Sequence, residues 1–138
     1  GEALIGGAMD GPYCPPTIYE VSRDDPRARD EIFGPVLSVI EVASYDEAIA
    51  AANDTDYGLT ASVFTANARK ALRAARDIRA GTVTVNCYGE GDISTPFGGF
   101  KQSGFGGRDN GIHAHDQYTE LKTIWIDLND PADGDNVG

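Results

Sequence analysis

The cysteines have the residue type for nucleophilic chemistry but not the surroundings. Cys87 lies at the end of a predicted strand, beside a loop, where α/β enzymes often carry their chemistry. A nucleophilic thiol needs a base or a positive charge nearby, whereas the charged residues that follow, Glu90 and Asp92, disfavour the thiolate. We therefore predict that Cys87 is a small buried residue, and Cys14, followed by two prolines, has even less to indicate a function.

The two histidines form no metal-ligand pattern. His113 and His115 are two residues apart, so they share a face only in a strand. A metal site would need further ligands and ordered hydrogen bonds around them. We interpret both as surface or interface residues and predict no metal site.

The glycine-rich stretch of residues 97–108 has the most unusual composition in the chain. Its glycines, together with Lys101 and Ser103, are typical of loops that bind phosphate. Its spacing matches neither the Walker pattern nor the dinucleotide fingerprint, both of which need a preceding strand and a following helix. Composition alone therefore predicts a long loop that needs positive φ angles at several glycines.

Alternating strands and helices must position these residues. The predicted strands cover residues 4–5, 17–21, 36–42, 61–64, 82–86 and 121–128, and the predicted helices begin at Pro26, Tyr45 and Ala68, with a helical turn or two within 112–120. The strand at 36–42 is apolar and β-branched, so we expect it to be buried. The alternation predicts an α/β sandwich whose strands are mostly parallel.

Two of the helices carry clear sequence signals. Ser44 and Glu47 form a capping box at the start of the second helix. In the third helix an apolar stripe follows the helical period, and Gly81 is the predicted stop signal. The stripe consists of Ala68, Ala71, Leu72, Ala75 and Ile78.

Composition limits the class of protein. The 138 residues include 22 acidic and 11 basic side chains, and the resulting charge of −11 repels nucleic acid and anionic lipid. The longest apolar run, at 48–52, is far shorter than the roughly 20 residues that a membrane span needs. Two distant cysteines favour a reducing compartment, so we expect a cytoplasmic protein without nucleic-acid or membrane partners.

Five segments, in order, resemble the C-terminal part of an aldehyde dehydrogenase. They are Glu-Ile-Phe-Gly-Pro-Val at 31–36, Asn53 with 57–61 and 63–65, Gly-Thr-Val at 81–83 with 85–86, Pro-Phe-Gly-Gly-Phe-Lys-Gln-Ser-Gly at 96–104, and Tyr-Thr-Glu-Leu-Lys at 118–122. The runs at 107–109 and 121–126 resemble the subgroup that oxidises aminoaldehydes such as γ-(γ-glutamylamino)butyraldehyde.

The resemblance implies part of a three-layer, mostly parallel α/β sandwich. Residues 1–119 would form the C-terminal portion of the catalytic domain, 120–128 an oligomerisation strand, and 129–138 a disordered acidic tail. The long alternating strand at the end of the chain independently favours pairing with another subunit. We therefore expect a homo-oligomer that forms through Leu121 to Leu128, with the rest of the same enzyme as a further partner.

The family oxidises aldehydes to carboxylic acids with NAD or NADP. Its nucleophile belongs to a Gly-Gln-x-Cys motif, and neither cysteine of this chain has that context. The family's general-base glutamate and its Rossmann half also lie upstream of the matched part. The resemblance therefore implies that the chain holds no catalytic residue and is an inactive piece when isolated, which binds neither cofactor well.

Several binding residues follow from the resemblance. Glu31 matches the glutamate that holds the nicotinamide-ribose hydroxyls, and a carboxylate suits this task because each oxygen can accept a hydrogen bond. Phe33 matches an aromatic residue that packs beside the nicotinamide. The expected substrate-binding residues match the wall and the mouth of the aldehyde tunnel, and they are Tyr88, Glu90, Asp92 and Phe97.

The carboxylates of Glu90 and Asp92 favour a substrate with a cationic amine, although both side chains could also simply face solvent. Two positions depart from the family: Thr84 stands where many relatives have a bulky apolar residue, and the run at 105–108 looks one residue longer. The alternative to the enzyme is a non-catalytic α/β assembly module that pairs with partner subunits through its last strand.

Overall fold

A computed structural model describes residues 3–89 and 91–128. Its elements are β1 (Ala3–Ile5), β2 (Thr17–Glu20), α1 (Pro26–Arg29), β3 (Val36–Val39), α2 (Tyr45–Asn53), β4 (Thr60–Val63), α3 (Ala68–Asp77), β5 (Thr82–Val85) and two 3₁₀ helices (Lys101–Ser103 and Ile112–Tyr118). Strands and helices alternate along the chain as the sequence predicts.

The described strands form two small sheets. In the first sheet β2 lies in the middle, antiparallel to β1 and parallel to β3. In the second sheet β4 and β5 are parallel, in a register that pairs Thr60 with Thr82 and Val63 with Val85. The α/β class with mostly parallel strands is confirmed.

Side chains cap the three α-helices at their N-termini. The Asp25 carboxylate accepts a hydrogen bond from the Arg27 amide at the start of α1. At α2, Ser44 Oγ accepts from the Glu47 amide at 3.1 Å, and the Glu47 carboxylate accepts from the Ala43 amide at 2.9 Å. The capping box is therefore present, with its glutamate reaching one residue further back than the motif prescribes.

The apolar core of the described residues is small and consists of Val21, Ala71, Ala74 and Ala80. The prediction that the third strand is buried is wrong, because Leu37 is 57% exposed and Val39 is also exposed. The reason is that α1 contacts only one face of β3, through Ser38, whose hydroxyl donates to the Arg27 carbonyl, whereas Leu37 and Val39 lie on the opposite face.

Helix α3 packs through alanines rather than through its largest apolar side chain. Ala71 and Ala74 are buried, whereas Leu72, which the stripe placed toward the core, is 76% exposed. Short side chains allow the helix axis to approach β4 and β5 closely, which turns Leu72 outward. The helix ends at Asp77, before the predicted stop at Gly81.

Residues 121–128 follow the second 3₁₀ helix without belonging to a strand of the described structure. Their large apolar side chains are exposed: Leu121, Ile124, Trp125, Ile126 and Leu128. An oligomerisation strand needs a partner strand, so this role and the boundaries 1–119 and 120–128 stay predictions. The predicted acidic tail, residues 129–138, lies outside the described residues.

Candidate functional site

Glu31 and Phe33 lie on the turn between α1 and β3. Helix α1 ends where the Asp30 amide donates to the Pro26 carbonyl, and the turn closes where the Val36 amide donates to the Gly34 carbonyl at 2.7 Å. Phe33 has a φ of 54°, in the left-handed region, which costs a non-glycine residue roughly 1 kcal/mol or more. Its ring is 93% exposed, so the turn presents the ring outward beside the exposed Glu31.

Helix α1, which carries this turn, is tied to the end of α2 by arginines. Arg29 and Arg23 donate to the Asp54 carboxylate at 2.9 and 3.0 Å, and Arg29 also donates to the Asp54 carbonyl. Hydrogen bonds from Arg29 and then Arg23 lower the pKa of Asp54. At the other end of α1, hydrogen bonds from Arg27 hold the pKa of Asp25 well below its usual range. The position of Glu31 therefore depends on charged contacts within the chain.

The expected substrate loop leaves β5 at Asn86, whose φ of 54° turns the chain away from the sheet. The Asn86 side chain accepts from the Thr65 amide at 2.8 Å and donates to the Thr65 carbonyl at 3.0 Å. Cys87 follows this turn and is exposed, so the prediction that it is buried is wrong. The outward turn at Asn86 is the physical reason.

Tyr88 and Asp92 lie on the loop after this turn. The Tyr88 side chain is 92% exposed. The Asp92 carboxylate accepts from the Ser94 amide at 2.8 Å, and its carbonyl accepts from the Thr95 amide at 2.8 Å. The hydrogen bonds from Ser94 lower the pKa of Asp92, whose side chain is exposed. Glu90 lies outside the described residues.

Phe97 begins the glycine-rich loop and is half-buried. Its backbone amide and carbonyl pair with those of Asp109, at 2.7 and 2.6 Å. Phe97 lines a cavity of about 220 Å³ together with Leu59 and Phe105. This arrangement gives the ring a fixed position as one wall of a small apolar recess.

The rest of this loop is held against the end of α2 by contacts that the sequence analysis missed. Lys101 Nζ donates to the carbonyls of Asn53 and Thr55, both at 2.8 Å, and Ser103 Oγ accepts from the Gly58 amide at 3.1 Å. Asn53 also accepts from the Arg79 amide and donates to the Asp77 carbonyl. We call residues 97–104 the anchored loop. Its lysine, a residue type that favours phosphate, contacts backbone carbonyls instead.

Glu31 and Phe97 line adjoining cavities. Glu31 lines an open cavity of about 610 Å³, to which Leu59 and Ser103 also contribute. Leu59 and Ser103 line the cavity of Phe97 as well. Tyr88 and Asp92 belong to neither lining. The described residues thus bring Glu31 and Phe97 into one region, and Tyr88 and Asp92 lie outside it.

Residues 3–89 and 91–128 contain no cluster of three or more His, Cys, Asp or Glu side chains that could hold a metal ion. Among the same residues there is no helix with the length and apolar character to cross a membrane.

The sequence of residues 1–124 matches the model of the aldehyde dehydrogenase family, and the chain belongs to this family of oxidoreductases. It is 63% identical over 125 residues to the aminoacetaldehyde dehydrogenase of Pseudomonas aeruginosa, a match that covers 89% of this chain and 25% of the relative. The chain therefore spans about a quarter of the length of this curated relative.

Solved structures show the same similarity. The γ-glutamyl-γ-aminobutyraldehyde dehydrogenase of Burkholderia cenocepacia superposes with a TM-score of 0.82 at 53% identity, over 88% of this chain and 26% of that one. The indole-3-acetaldehyde dehydrogenase of P. syringae, solved with NAD⁺ and IAA, gives a TM-score of 0.83 at 51% identity, over 92% and 27%. The expected family and its aminoaldehyde subgroup are confirmed, whereas the roles of individual residues stay predictions.

Proposed function

We propose that this chain is the C-terminal part of an NAD(P)⁺-dependent aldehyde dehydrogenase that oxidises an aminoaldehyde to a carboxylic acid. The observation that carries the proposal is the 63% identity to an aminoacetaldehyde dehydrogenase over 125 residues. In this enzyme the nucleophilic cysteine, the general base and the nucleotide-binding half belong to the rest of the polypeptide. The isolated chain is inactive and contributes one side of the cofactor and substrate sites.

The residues of the α1–β3 turn fit a nicotinamide nucleotide. Glu31 offers an exposed carboxylate with two acceptor oxygens, which suits a pair of ribose hydroxyls. Phe33, two residues further along the same turn, presents an exposed apolar ring. When bound, the nucleotide accepts a hydride from the substrate. The chain's own contribution is to orient the nicotinamide end against the aldehyde.

The substrate side combines an apolar wall with a negative charge. Phe97 supplies the wall, and Tyr88 and Asp92 stand on the loop at the mouth. Asp92 places an exposed charged carboxylate there, which attracts an ammonium group and supports an aminoaldehyde as substrate. Glu90, in the same loop of the sequence, adds a second carboxylate to this proposal.

The rest of the enzyme is the partner that the exposed apolar surface requires. Leu37 on β3 and Leu59 beside β4 are exposed, and each of these strands is paired on one side only in the described structure. Open strand edges with apolar side chains favour pairing with further strands. Residues 121–128 offer a second such surface, which we assign to contacts between subunits. The exposed free cysteines, Cys14 and Cys87, fit a reducing compartment, and we place the enzyme in the cytoplasm.

A chimera tests the proposal directly. In it, this chain replaces the matching quarter of the Pseudomonas aeruginosa aminoacetaldehyde dehydrogenase, and NADH formation is followed with aminoacetaldehyde as substrate. We expect a kcat within about tenfold of the parent enzyme, and no turnover by the chain alone. A folded chimera that binds NAD⁺ but forms no NADH would overturn the proposal. The codons upstream of Gly1 give an independent test, because they should continue in frame through a Gly-Gln-x-Cys motif.

The preference for an amine has its own test in the same chimera. Asp92→Asn should raise the KM for an aminoaldehyde about three- to tenfold and leave the KM for a neutral aldehyde of similar size unchanged. Asp10→Asn removes the same charge from a distant exposed position and serves as the control. Equal effects of Asp92→Asn on both substrates would refute the amine preference without refuting aldehyde oxidation.

A further inference from the structure

A chain of hydroxyl groups connects the β4–β5 sheet to the start of the substrate loop. Ser62 and Thr84 are register partners on the two strands, with 2.9 Å between Ser62 Oγ and Thr84 Oγ1. Thr84 Oγ1 also donates to the Cys87 carbonyl at 2.9 Å, with the Ala61 carbonyl as a more distant acceptor at 3.4 Å. A threonine hydroxyl has one proton to donate, so Ser62 is the donor in the first bond and Thr84 in the second. These hydrogen bonds therefore lead from β4 through β5 to the carbonyl of Cys87, the residue before Tyr88.

A local turn closes further along the same loop. Thr95 Oγ1 donates to the Asp92 carbonyl at 2.6 Å and accepts from the Asp92 amide at 3.0 Å. Between these two points lie Gly89 and Gly91, whose φ angles of 147° and 96° belong to the region that favours glycine. Glycines give the chain conformational freedom, so the bond from Thr84 on β5 to the Cys87 carbonyl is the contact that limits the position of Tyr88.

We propose that Thr84, supported by Ser62, is a positioning residue that sets the place of Tyr88 at the substrate mouth. The inference rests on the proposed function, which assigns Tyr88 to that mouth. Thr84 acts through the Cys87 carbonyl and does not touch the substrate. Loss of the Thr84 hydroxyl lets the loop move and lowers the affinity for the aldehyde. The rate of the chemical step does not change, and the turn that carries Glu31 and Phe33 keeps its geometry.

The test uses the chimera with Thr84→Val, which keeps the shape of the side chain and removes the hydroxyl. The matched control is Thr82→Val, on the same strand and the same sheet face, because the Thr82 hydroxyl has no hydrogen-bond partner among the described residues. Thr84→Val should raise the KM for the aldehyde about three- to tenfold, with kcat and the KM for NAD⁺ within about twofold of their original values. Thr84→Ser, which retains the hydroxyl, should restore the KM, and Ser62→Ala should give a smaller increase.

Equal aldehyde KM values for Thr84→Val and Thr82→Val would overturn the inference. So would a joint loss of kcat and of both affinities, because general damage to the fold has that signature. A second measurement needs no activity: in the 138-residue chain, Thr84→Val should accelerate hydrogen exchange of the amides of residues 87–89, and Thr82→Val should not. If the unmutated chimera fails to oxidise aldehydes, the proposed function fails, and the exchange rates still decide whether Thr84 holds the loop.

Discussion

Two regions of the chain differ in where their side chains find contacts. They are the anchored loop, residues 97–104, and the terminal segment, residues 121–128. Lys101 and Ser103 have their hydrogen-bond partners within this chain, at Asn53, Thr55 and Gly58. Trp125, in contrast, is 91% exposed, and its apolar neighbours in the segment are exposed as well. The first region is complete by itself, whereas the second has a surface of the kind that proteins cover in a complex.

This contrast distinguishes residues that are held by contacts inside the chain from residues whose side chains point outward. Phe97, which we propose as part of the substrate wall, belongs to the anchored loop, and contacts inside the chain set its position. Glu31 and Phe33 also rest on an internally bonded element, α1, but present their side chains outward. The chain thus builds rigid supports for side chains whose ligands come from elsewhere. Variants of the supports should change stability, and variants of the outward side chains should change binding or assembly.

The largest effect on stability should come from Lys101→Met. The change removes two hydrogen bonds from a half-buried ammonium group to the Asn53 and Thr55 carbonyls at the end of α2. Bonds to a charged group contribute more than neutral ones, so we expect a loss of about 2 kcal/mol in the free energy of unfolding, measured with urea. Lys70→Met is the control, because the Lys70 side chain is exposed and only its backbone amide is bonded. Equal urea midpoints for the two variants would contradict the anchoring role.

A smaller effect, with a defined pH dependence, should come from Asp54→Asn. Because Arg29 and Arg23 lower the pKa of Asp54 in the folded state, its contribution is complete above about pH 5 and is lost as the pH falls through the lowered pKa. The melting temperature of the variant should be lower than that of the original chain at pH 7, the difference should shrink below about pH 4, and it should close only once the pH is below the lowered pKa.

The control for this change is Asp10→Asn, which removes an exposed carboxylate whose side chain makes no hydrogen bond among the described residues. Its melting temperature should differ little from that of the original chain at any pH. A gap for Asp54→Asn that persists unchanged at low pH would show that the charge of Asp54 does not stabilise α1.

Local patterns predicted the elements well, because caps and periodicity act within a few residues. Ser44 with Glu47, and Asp25 before Pro26, mark the helix starts that the structure has. Contacts between segments that are distant in the sequence were not predicted. Gly81 was interpreted as a helix stop, whereas its actual constraint is the Gly98 carbonyl oxygen, which a Cβ at residue 81 would overlap. No local pattern reports a contact across 17 residues of chain, and the same holds for Lys101 and Asn53.

Burial was also predicted poorly, for a related reason. Leu37, Leu72 and Cys87 were expected to be buried because of their residue types, yet each is exposed in the described structure. The apolar character of a residue indicates that its side chain tends to avoid water, but it does not indicate which part of the protein or which partner buries that side chain. The candidate site residues were predicted from the resemblance of motifs to a family and not from periodicity or spacing. Without that resemblance, Glu31 and Phe33 are typical of ordinary residues at the end of a helix.

The smallest effect on the stability of the chain should come from Trp125→Ser, although this change removes the largest apolar side chain of the terminal segment. Because Trp125 is exposed, we expect the free energy of unfolding to change by less than about 0.5 kcal/mol. Its effect should instead appear in assembly: if residues 121–128 pair with a neighbouring subunit, size-exclusion chromatography of the chain should show an oligomer that Trp125→Ser weakens and removal of residues 121–138 abolishes. Elution of all three forms as monomers would remove the support for an assembly role of this segment in the isolated chain. A loss of stability for Trp125→Ser as large as that for Lys101→Met would instead show that the terminal segment has its partners inside the chain, and the contrast between the two regions would not hold.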